Sequence, residues 1–283
     1  MPQVQMERDG MVSYMEHKDL AQTVIDEARE REIADNVHRT LERLAKAVEE
    51  SGREPGDVQL LAATKTQNVG EIMAAIRAGI RLIGENRPQE VVAKIDGVRA
   101  ACADMGLTVG LAQPEDGTDG EPDIPLHLIG QLQSNKINKI LPHTNVIESV
   151  DSVALAQKIA RRAIARHMVA HVLLEVNESG ESSKSGCEAD EARDIAGEIC
   201  ACEGVQLVGL MTVGAHVDDE ARIRQGFMHL RELRDELVGS GETGTQYCTE
   251  LSMGMSGDAH IAIEEGSTQV RLGRAIFGER LFV

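Results

Sequence analysis

The chain has 283 residues with a formal net charge of −18 at pH 7, no Trp, two Tyr and three Phe. The excess of acidic residues argues against binding to a nucleic-acid backbone, because phosphate neutralisation needs an excess of Lys and Arg. The length fits one barrel-sized domain as well as two ordinary domains, and any core must be built mainly from aliphatic side chains.

The first 30 residues are polar and contain no continuous apolar segment. This pattern predicts neither a secretory signal nor a membrane span, so we expect a cytoplasmic protein without membrane contacts. The five Cys lack paired metal-ligand spacing, which favours a reduced compartment and no metal site. We treat residues 1–30 as an N-terminal extension and residues 31–283 as one domain.

A helical apolar period over residues 31–52 precedes a long series of β-rich segments. The eight segments read VQLLAAT, RLIG, PLHLIG, NVIESVD, HVLLEVN, VQLVGLMTVG, YCTELSMG and TQVRLGRAIFG. Helical sequence separates most successive pairs, which predicts an α/β fold made of a single (β/α)8 TIM barrel. Few residues follow the eighth segment, so we expect no helix after it. The helix at 31–52 would cover the face that this leaves open.

A segment rich in Gly, Pro and Asp, residues 107–124, precedes the third β-rich segment. Its composition predicts a surface loop in which a helix returns to a strand. In a barrel that edge lies opposite the active face, so the loop gives little support to a functional role.

Residues at the carboxyl ends of the strands are the candidates for a functional site, because parallel barrels place their sites there. These positions hold Lys65, Glu85, Asn86, Gln131, Glu148, Asn177, Met211, Thr212, Ser252, Gly254, Arg271 and Gly273, with His127 two to three residues inside its strand.

Lys65 follows the first β-rich segment directly, in VQLLAATKTQ. A lysine here can extend its amine to solvent, pair with a carboxylate such as Glu85, or have its pKa lowered by burial so that it condenses with a carbonyl. Position alone favours a structural ion pair over the covalent role.

The last two strand ends have the features of a phosphate site. LSMGMSGD and RLGRAIFG follow the pattern of barrels that bind phosphate after their seventh and eighth strands, although a plain turn is the alternative. Small residues let main-chain N–H groups approach an anion, and hydroxyls add donors; the residues concerned are Gly254, Gly257, Gly273, Ser252 and Ser256. Pyridoxal phosphate (PLP) needs a partner for its aldehyde, its phosphate and its ring nitrogen. A lysine amine, a phosphate site and the permanently charged Arg271 suit these three groups.

Seven blocks occur in order along the predicted barrel, from residue 63 to residue 278: ATKTQ, IGENRPQE, HLIGQLQSNK, EVNESGESSKSG, GLMT, LSMGMSGD and GSTQVRLGRAIFG. Their series resembles the YggS/PROSC family, the pyridoxal phosphate homeostasis proteins. The resemblance implies a barrel like the N-terminal domain of alanine racemase that carries pyridoxal 5'-phosphate as a Schiff base on Lys65. It also implies a role in intracellular PLP (vitamin B6) homeostasis.

The resemblance assigns roles to further residues. Arg271 would face the pyridine nitrogen, and Lys184 in SSKSG matches a family lysine proposed to help in cofactor transfer. The other implied cofactor-binding residues are Asn86 and His127 near the ring, Ser252, Gly273 and the main chain of Arg274 at the phosphate, and Met211 at its strand end.

Two positions depart from the family pattern. Arg274 stands where the family usually has Thr, which replaces one hydroxyl donor to the phosphate. Gln67 stands where a second lysine is common, which puts in doubt a transfer of the aldehyde to a neighbouring amine.

An arginine beside the pyridine nitrogen disfavours its protonation and so weakens the ring as an electron sink. Related racemases compensate with strong bases, one of them from a second domain, whereas this chain offers only Tyr14 and Tyr247 as tyrosines. We therefore expect a monomeric binding protein rather than an enzyme, with PLP-dependent apo-enzymes as potential partners. A weak amino-acid racemase and a cofactor-free, lysine-dependent aldolase barrel are the alternatives.

Overall fold

The computed structural model describes residues 18–111, 120–179, 185–214, 217 and 219–279. Its strands are β1 (Gln59–Ala63), β2 (Ile83–Glu85), β3 (Leu126–Leu128), β4 (Val146–Val150), β5 (Ala170–Asn177), β6 (Cys187–Glu188), β7 (Val205–Met211), β8 (Glu250–Ser252) and β9 (Gln269–Leu272). Its α-helices are α1 (Glu27–Glu50), α2 (Val69–Arg77), α3 (Pro88–Ala103), α4 (Ile137–Ile140), α5 (Val153–Ile164), α6 (Ala192–Cys200), α7 (Glu220–Gly239), α8 (Ala259–Glu264) and α9 (Arg274–Phe277).

Eight parallel strands close into a ring in the order β1-β2-β3-β4-β5-β7-β8-β9, and β9 pairs with β1 to complete it. The closing register places Gln59 opposite Gln269 and Leu61 opposite Arg271. β6 is an additional two-residue strand that pairs with β5 outside this ring. The predicted TIM barrel is therefore confirmed, with all eight predicted β-rich segments in its wall.

The core is aliphatic, as the composition predicts. Strand side chains such as Leu61, Leu128 and Leu210 are fully buried, and the helices add Ile33 and Ile72 from outside. Parallel strands covered on both faces are built from apolar residues of this kind.

Helix α1 lies between α2 and α8 and also packs on α9, so it fills the gap in the helical ring after the last strand. Ile33 and Val37 are buried there, and the Asn36 amide donates to the Ile276 carbonyl at 3.0 Å. The replacement helix is thus confirmed. A single-turn helix, α9, does follow β9, so the expectation that no helix follows the last strand is too strict.

The chain before residue 31 is partly integrated with the barrel. Asp26 caps α1, so this helix begins four residues before the predicted start, and the Leu20 and Gln22 carbonyls accept from the first amides of α2. Lys18 pairs with Glu71 at 2.6 Å. The division at residue 30 stays a prediction.

None of the helices in the described ranges is long and apolar enough to cross a bilayer. Residues 107–111 and 120–124 connect α3 to β3, on the amino side of the barrel, and Val109 forms a bridge with Ile124. The predicted surface loop therefore starts and ends on the expected edge, and its middle, residues 112–119, lies outside the described residues.

Candidate functional site

A cavity of about 750 Å³ opens at the carboxyl ends of the strands, a size typical of small-molecule sites. Four segments form most of its wall: the turn after β1, the start of the β2–α3 connection, the loop after β8 and the end of β9 with α9. Its lining includes Lys65, Gln67, Asn86, Met255, Ser256, Gly257, Asp258, Arg271, Gly273 and Arg274.

Lys65 is half-buried in a tight turn that leaves β1 towards α2. The Gln67 amide donates to the Thr64 carbonyl at 3.0 Å and closes the turn. Thr66 has a φ of 67°, which is the left-handed region that β-branched residues rarely adopt. The chain thus accepts backbone strain directly beside the lysine.

A buried ion cluster lies under this turn. Lys94 of α3 donates to the Glu85 carboxylate, to the Glu90 carboxylate and to the Thr64 carbonyl, at 2.8, 2.8 and 3.1 Å. Burial raises the pKa of Glu85, the Lys94 ammonium lowers it, and the net direction is upward. Glu85, which the sequence offered as a partner for Lys65, forms its ion pair with Lys94.

Arg271 of β9 is 6% exposed and lines the cavity from below. Its guanidinium donates to the Ser252 hydroxyl at 2.6 Å and to the Thr212 carbonyl at 2.7 Å. Burial lowers the pKa of Arg271, but an arginine starts so high that it keeps its charge at neutral pH. These two bonds use two of its five N–H donors.

A second polar layer lies deeper in the barrel, around Glu148 of β4. Its carboxylate is bonded to His127 Nδ1 at 2.7 Å and accepts from Gln269 Nε2 at 2.7 Å and from the Ser252 hydroxyl at 2.6 Å. Burial raises the pKa of Glu148, but these donors and the positive charge of Arg271 outweigh it, so the net shift is downward. Glu148 therefore holds the Ser252 hydroxyl in place, and this hydroxyl in turn accepts from Arg271.

The loop after β8 is folded by Asp258, whose carboxylate accepts from the Met255 amide. Gly254 has a φ of 97°, and an added Cβ would come within 2.6 Å of Ala262, so only glycine fits there. Across the cavity, a Cβ at Gly273 would lie 3.3 Å from the Ala63 carbonyl oxygen. Gly257 and Gly273 line the cavity, so at these two positions no side chain lies between the main chain and the cavity.

Two buried acceptors on the cavity wall have no hydrogen-bond partner among the described residues: Gln67 Oε1 and Asn86 Oδ1. A buried acceptor without a partner is rare and needs an explanation such as a missing ligand or water. An amine, a buried cation, an exposed main chain and unused acceptors together fit a phosphorylated, heteroaromatic aldehyde such as PLP.

Residues 35–281 match the sequence profile of the family described as alanine racemase, N-terminal domain. A pyridoxal phosphate homeostasis protein of Aquifex aeolicus is 34% identical over 248 residues, which are 88% of this chain and 98% of that protein. This chain belongs to the pyridoxal phosphate homeostasis protein family.

Two solved structures of high similarity extend the match to the fold. A protein of Bifidobacterium adolescentis, described as unknown, is 59% identical with a TM-score of 0.87, over 92% of this chain and 100% of that one. PipY of Synechococcus elongatus, solved with PLP bound, is 30% identical with a TM-score of 0.67, over 87% of this chain and 100% of that one. The curated family name describes a homeostasis protein and not an enzyme.

The structure brings together five of the residues that the family resemblance implies: Lys65, Asn86, Arg271, Gly273 and Arg274 all line the carboxyl-end cavity. It separates three others from it. His127 and Ser252 line a different cavity of about 370 Å³ on the amino side, and Met211 is buried in β7 and lines neither of these two cavities. Lys184 lies outside the described residues.

Sequence reasoning missed the buried cluster of Lys94 and Glu90. The signal available was a Glu and a Lys four residues apart in RPQEVVAK, a spacing that also occurs on exposed helix faces. Their burial, at 1% for Glu90 and 2% for Lys94, distinguishes the pair. Only the packing of α3 against β2 and the turn after β1 reveals it.

Proposed function

We propose that this protein binds pyridoxal 5'-phosphate in the carboxyl-end cavity, as a Schiff base on Lys65, and acts in intracellular PLP homeostasis. The observation that carries the proposal is that Lys65, Arg271 and the Gly273–Arg274 main chain line one cavity. The family name and the PLP-bound PipY structure support it.

The cofactor supplies an aldehyde, which condenses with a primary amine and releases water. The residues of this chain do the rest. Arg271, held by Ser252 and Thr212, would present a fixed positive charge to the pyridine nitrogen of the bound cofactor and so disfavour its protonation. Asn86 offers its unused amide oxygen, which is suited to a donor on the ring such as its hydroxyl group.

The phosphate is held by the loop after β8 and by the start of α9. The amides of Arg274 and Ala275 precede the first hydrogen bond of α9, which runs from Ile276 to the Gly273 carbonyl. Because the Ser252 hydroxyl is bonded to Glu148 and lies away from this cavity, we assign the hydroxyl donor to Ser256, which lines it.

The chemistry of the cavity wall favours binding over turnover. Its described ionisable residues are Lys65, Arg271, Arg274, Asp258 and Glu279, and Asp258 already folds the adjacent loop. Tyr247 precedes β8 and therefore lies at the amino end of the barrel, opposite the cavity. A racemase needs a base on each face of the substrate, and besides Lys65 the described part of this wall has only two carboxylates, of which Asp258 is already bonded to the Met255 amide.

Several finer points belong to the same proposal. The protein would act in the cytoplasm as a monomer, residues 31–283 would form the PLP-binding domain, and Lys184 would help to hand the cofactor to PLP-dependent apo-enzymes. Each of these points rests on the family resemblance.

The decisive experiment is borohydride fixation. Purified protein incubated with PLP should absorb in the visible range, and borohydride should attach the cofactor to the peptide that contains Lys65. Lys65→Ala should abolish the label, while Lys46→Ala, at an exposed lysine of α1, should leave it unchanged. Equal labelling of the Lys65 variant would refute the site, and a protein that stays colourless with PLP would favour the aldolase alternative.

The racemase alternative is tested separately. Holo-protein incubated with D- or L-alanine should show no racemisation above the level of free PLP. Efficient racemisation that disappears in Lys65→Ala would replace the homeostasis proposal by an enzyme.

A further inference from the structure

The turn that carries Lys65 is held in a conformation that its own sequence disfavours. Its hydrogen bond from the Gln67 amide to the Thr64 carbonyl makes Lys65 and Thr66 the two central residues. A turn with positive φ at its third residue normally has Gly or Asn there, whereas this chain has Thr66 at 67°. Something outside the turn must keep it in place.

The Glu90 carboxylate is the group that contacts the strained residue. Its Oε2 accepts from the Thr66 amide at 2.6 Å, and it is 1% exposed, so water does not compete for this bond. The same oxygen accepts from Lys94 at 2.8 Å. Glu90 therefore joins the peptide after Lys65 to the buried ammonium.

Lys94 also holds the peptide on the other side of the turn. It donates to the Thr64 carbonyl at 3.1 Å, and its third bond goes to Glu85, which in turn accepts from the Thr64 hydroxyl at 2.7 Å. All three N–H donors of the ammonium are thus satisfied, and all three bonds lead to the turn around Lys65: one directly, one through Glu90 and one through Glu85.

We propose that Lys94 and Glu90 are positioning residues for Lys65: together they clamp the peptides on both sides of it and so aim its amine into the cavity. This inference rests on the proposed role of Lys65 as the amine that binds the aldehyde. In that reaction the neutral amine attacks the carbonyl carbon, a proton moves to the departing oxygen, and water leaves. The clamp contributes no proton and no electron pair; it fixes the direction of attack.

The clamp has a specific signature, because it acts on the lysine and not on the phosphate loops after β8 and β9. Pyridoxamine 5'-phosphate carries the ring and the phosphate but no aldehyde, so its binding does not depend on Lys65 attack. A positioning role lowers covalent PLP binding selectively, whereas general damage to the cavity lowers the binding of both compounds.

The test uses Glu90→Leu, which removes the acceptor and leaves the charge-balanced Glu85–Lys94 pair, with Glu90→Gln as the matched variant that keeps an acceptor oxygen for Thr66. We expect Glu90→Leu to slow borohydride-fixable labelling at Lys65 by about tenfold, because a left-handed Thr is no longer held. Glu90→Gln should stay within about threefold of the wild type. Pyridoxamine phosphate affinity should be unchanged in both.

A second substitution supplies the rescue. Glycine adopts positive φ without the steric strain of Thr, so Thr66→Gly added to Glu90→Leu should recover most of the labelling rate. Failure of this rescue, an equal loss of pyridoxamine phosphate affinity, or wild-type labelling in Glu90→Leu would each overturn the positioning role. A wild-type protein that is not labelled at Lys65 would overturn the proposed function itself, so the two failures are distinguishable.

A further pair of variants addresses Lys94 directly. Lys94→Met alone leaves two buried carboxylates and is expected to destabilise the fold. Lys94→Met combined with Glu85→Gln and Glu90→Gln removes all three charges of the cluster and keeps an acceptor oxygen for Thr66, so we expect it to fold and to show the same selective loss of labelling. A folded triple variant that is labelled at the wild-type rate would remove Lys94 from the clamp.

Discussion

The barrel contains two polar regions that differ in how completely their hydrogen bonds are satisfied. Around Glu148, one buried carboxylate is bonded to three neighbouring side chains, and Ser252 links it to Arg271. On the wall of the carboxyl-end cavity, Asn86 and Gln67 each keep a buried oxygen without a partner among the described residues. Both regions contain polar side chains at or near strand ends, so residue type does not separate them.

This difference separates polar groups that stabilise the barrel from those that are available to a ligand. A satisfied buried network adds rigidity and is costly to break, whereas a buried acceptor without a partner is rare and can mark a place where a ligand or water binds. Glu85 Oε2, in the Lys94 cluster and not on the cavity wall, is a third such atom among the described residues. His127 and Ser252 belong to the first kind and Asn86 to the second. Arg271 connects the two regions, because it lines the cavity and is anchored by Ser252.

The largest effect should come from breaking the satisfied network. Glu148→Leu removes the partner of His127, Gln269 and Ser252 and also the strongest of the carboxylate charges that act on Arg271, so the free energy of unfolding should fall by about 3–5 kcal/mol. Urea unfolding followed by circular dichroism measures it. Glu49→Leu, at an exposed position of α1, should change it by less than about 0.5 kcal/mol. If Glu148→Leu also changed the free energy of unfolding by less than about 0.5 kcal/mol, the Glu148 network would not stabilise the barrel.

The same network should make stability depend on pH. The pKa of Glu148 is lowered in the folded state by its donors, so between that value and the unfolded pKa of about 4.3 the unfolded chain binds more protons. This contribution is present above pH 4.3 and is lost as the pH falls through the folded pKa. Unfolding free energies from pH 6 to pH 3 should therefore decline more steeply in the wild type than in Glu148→Gln.

The pH dependence of stability that Glu85 contributes should have the opposite sign to that of Glu148, which provides a control within the same protein. Its pKa is raised by burial, so its folded form keeps a proton above pH 4.3, and its contribution falls as the pH rises. Glu85→Gln should remove this decline. Parallel profiles for both variants would show that neither carboxylate carries the pH dependence.

A smaller and selective effect is expected for the unsatisfied acceptor. Asn86→Ala should weaken PLP binding by about five- to tenfold, the value of one hydrogen bond, with a change in unfolding free energy below about 1 kcal/mol. Asn145→Ala is the matched control, because the Asn145 amide oxygen accepts from the Leu126 amide at 3.0 Å in the amino half of the barrel. Asn145→Ala should lower the free energy of unfolding and leave PLP binding unchanged. If Asn145→Ala weakened PLP binding and Asn86→Ala did not, the assignment of Asn86 to the ligand would be contradicted.

The smallest effect on PLP affinity should come from Arg274, an exposed residue on the wall of the carboxyl-end cavity. Arg274→Thr, which restores the usual family residue, should change PLP affinity by less than about threefold, because the proposed contact is the main chain and an exposed charge is screened. Gly273→Ala should weaken binding more, since its Cβ would lie 3.3 Å from the Ala63 carbonyl oxygen. Titration of PLP absorbance compares the two variants, and a larger loss in Arg274→Thr would assign the contact to the side chain.

The sequence predicted most of the fold, because the alternation of β-rich and helical segments is a local pattern that survives without tertiary information. Lys65 and Arg271, which the sequence offered as candidates from their positions at strand ends, both line the carboxyl-end cavity, and their roles towards PLP stay predictions. The sequence did not show that Ser252 and His127 line a different cavity from Lys65, because the layer in which an inward side chain lies depends on the stagger of eight strands. Their assignment to the cofactor stays a prediction. The clamp of Glu90 and Lys94 was invisible because two secondary elements and a strained turn must meet to form it.

The seam between α1 and α9 has a consequence for how the protein is made. The bond from Asn36 to Ile276 joins residues 240 positions apart, so α1 emerges from the ribosome long before its partner exists. Until β9 is synthesised, the apolar face around Ile33 and Val37 lacks α9 and β1 lacks a neighbour on one side. We expect this seam to close last during folding and to open first in native-state hydrogen exchange.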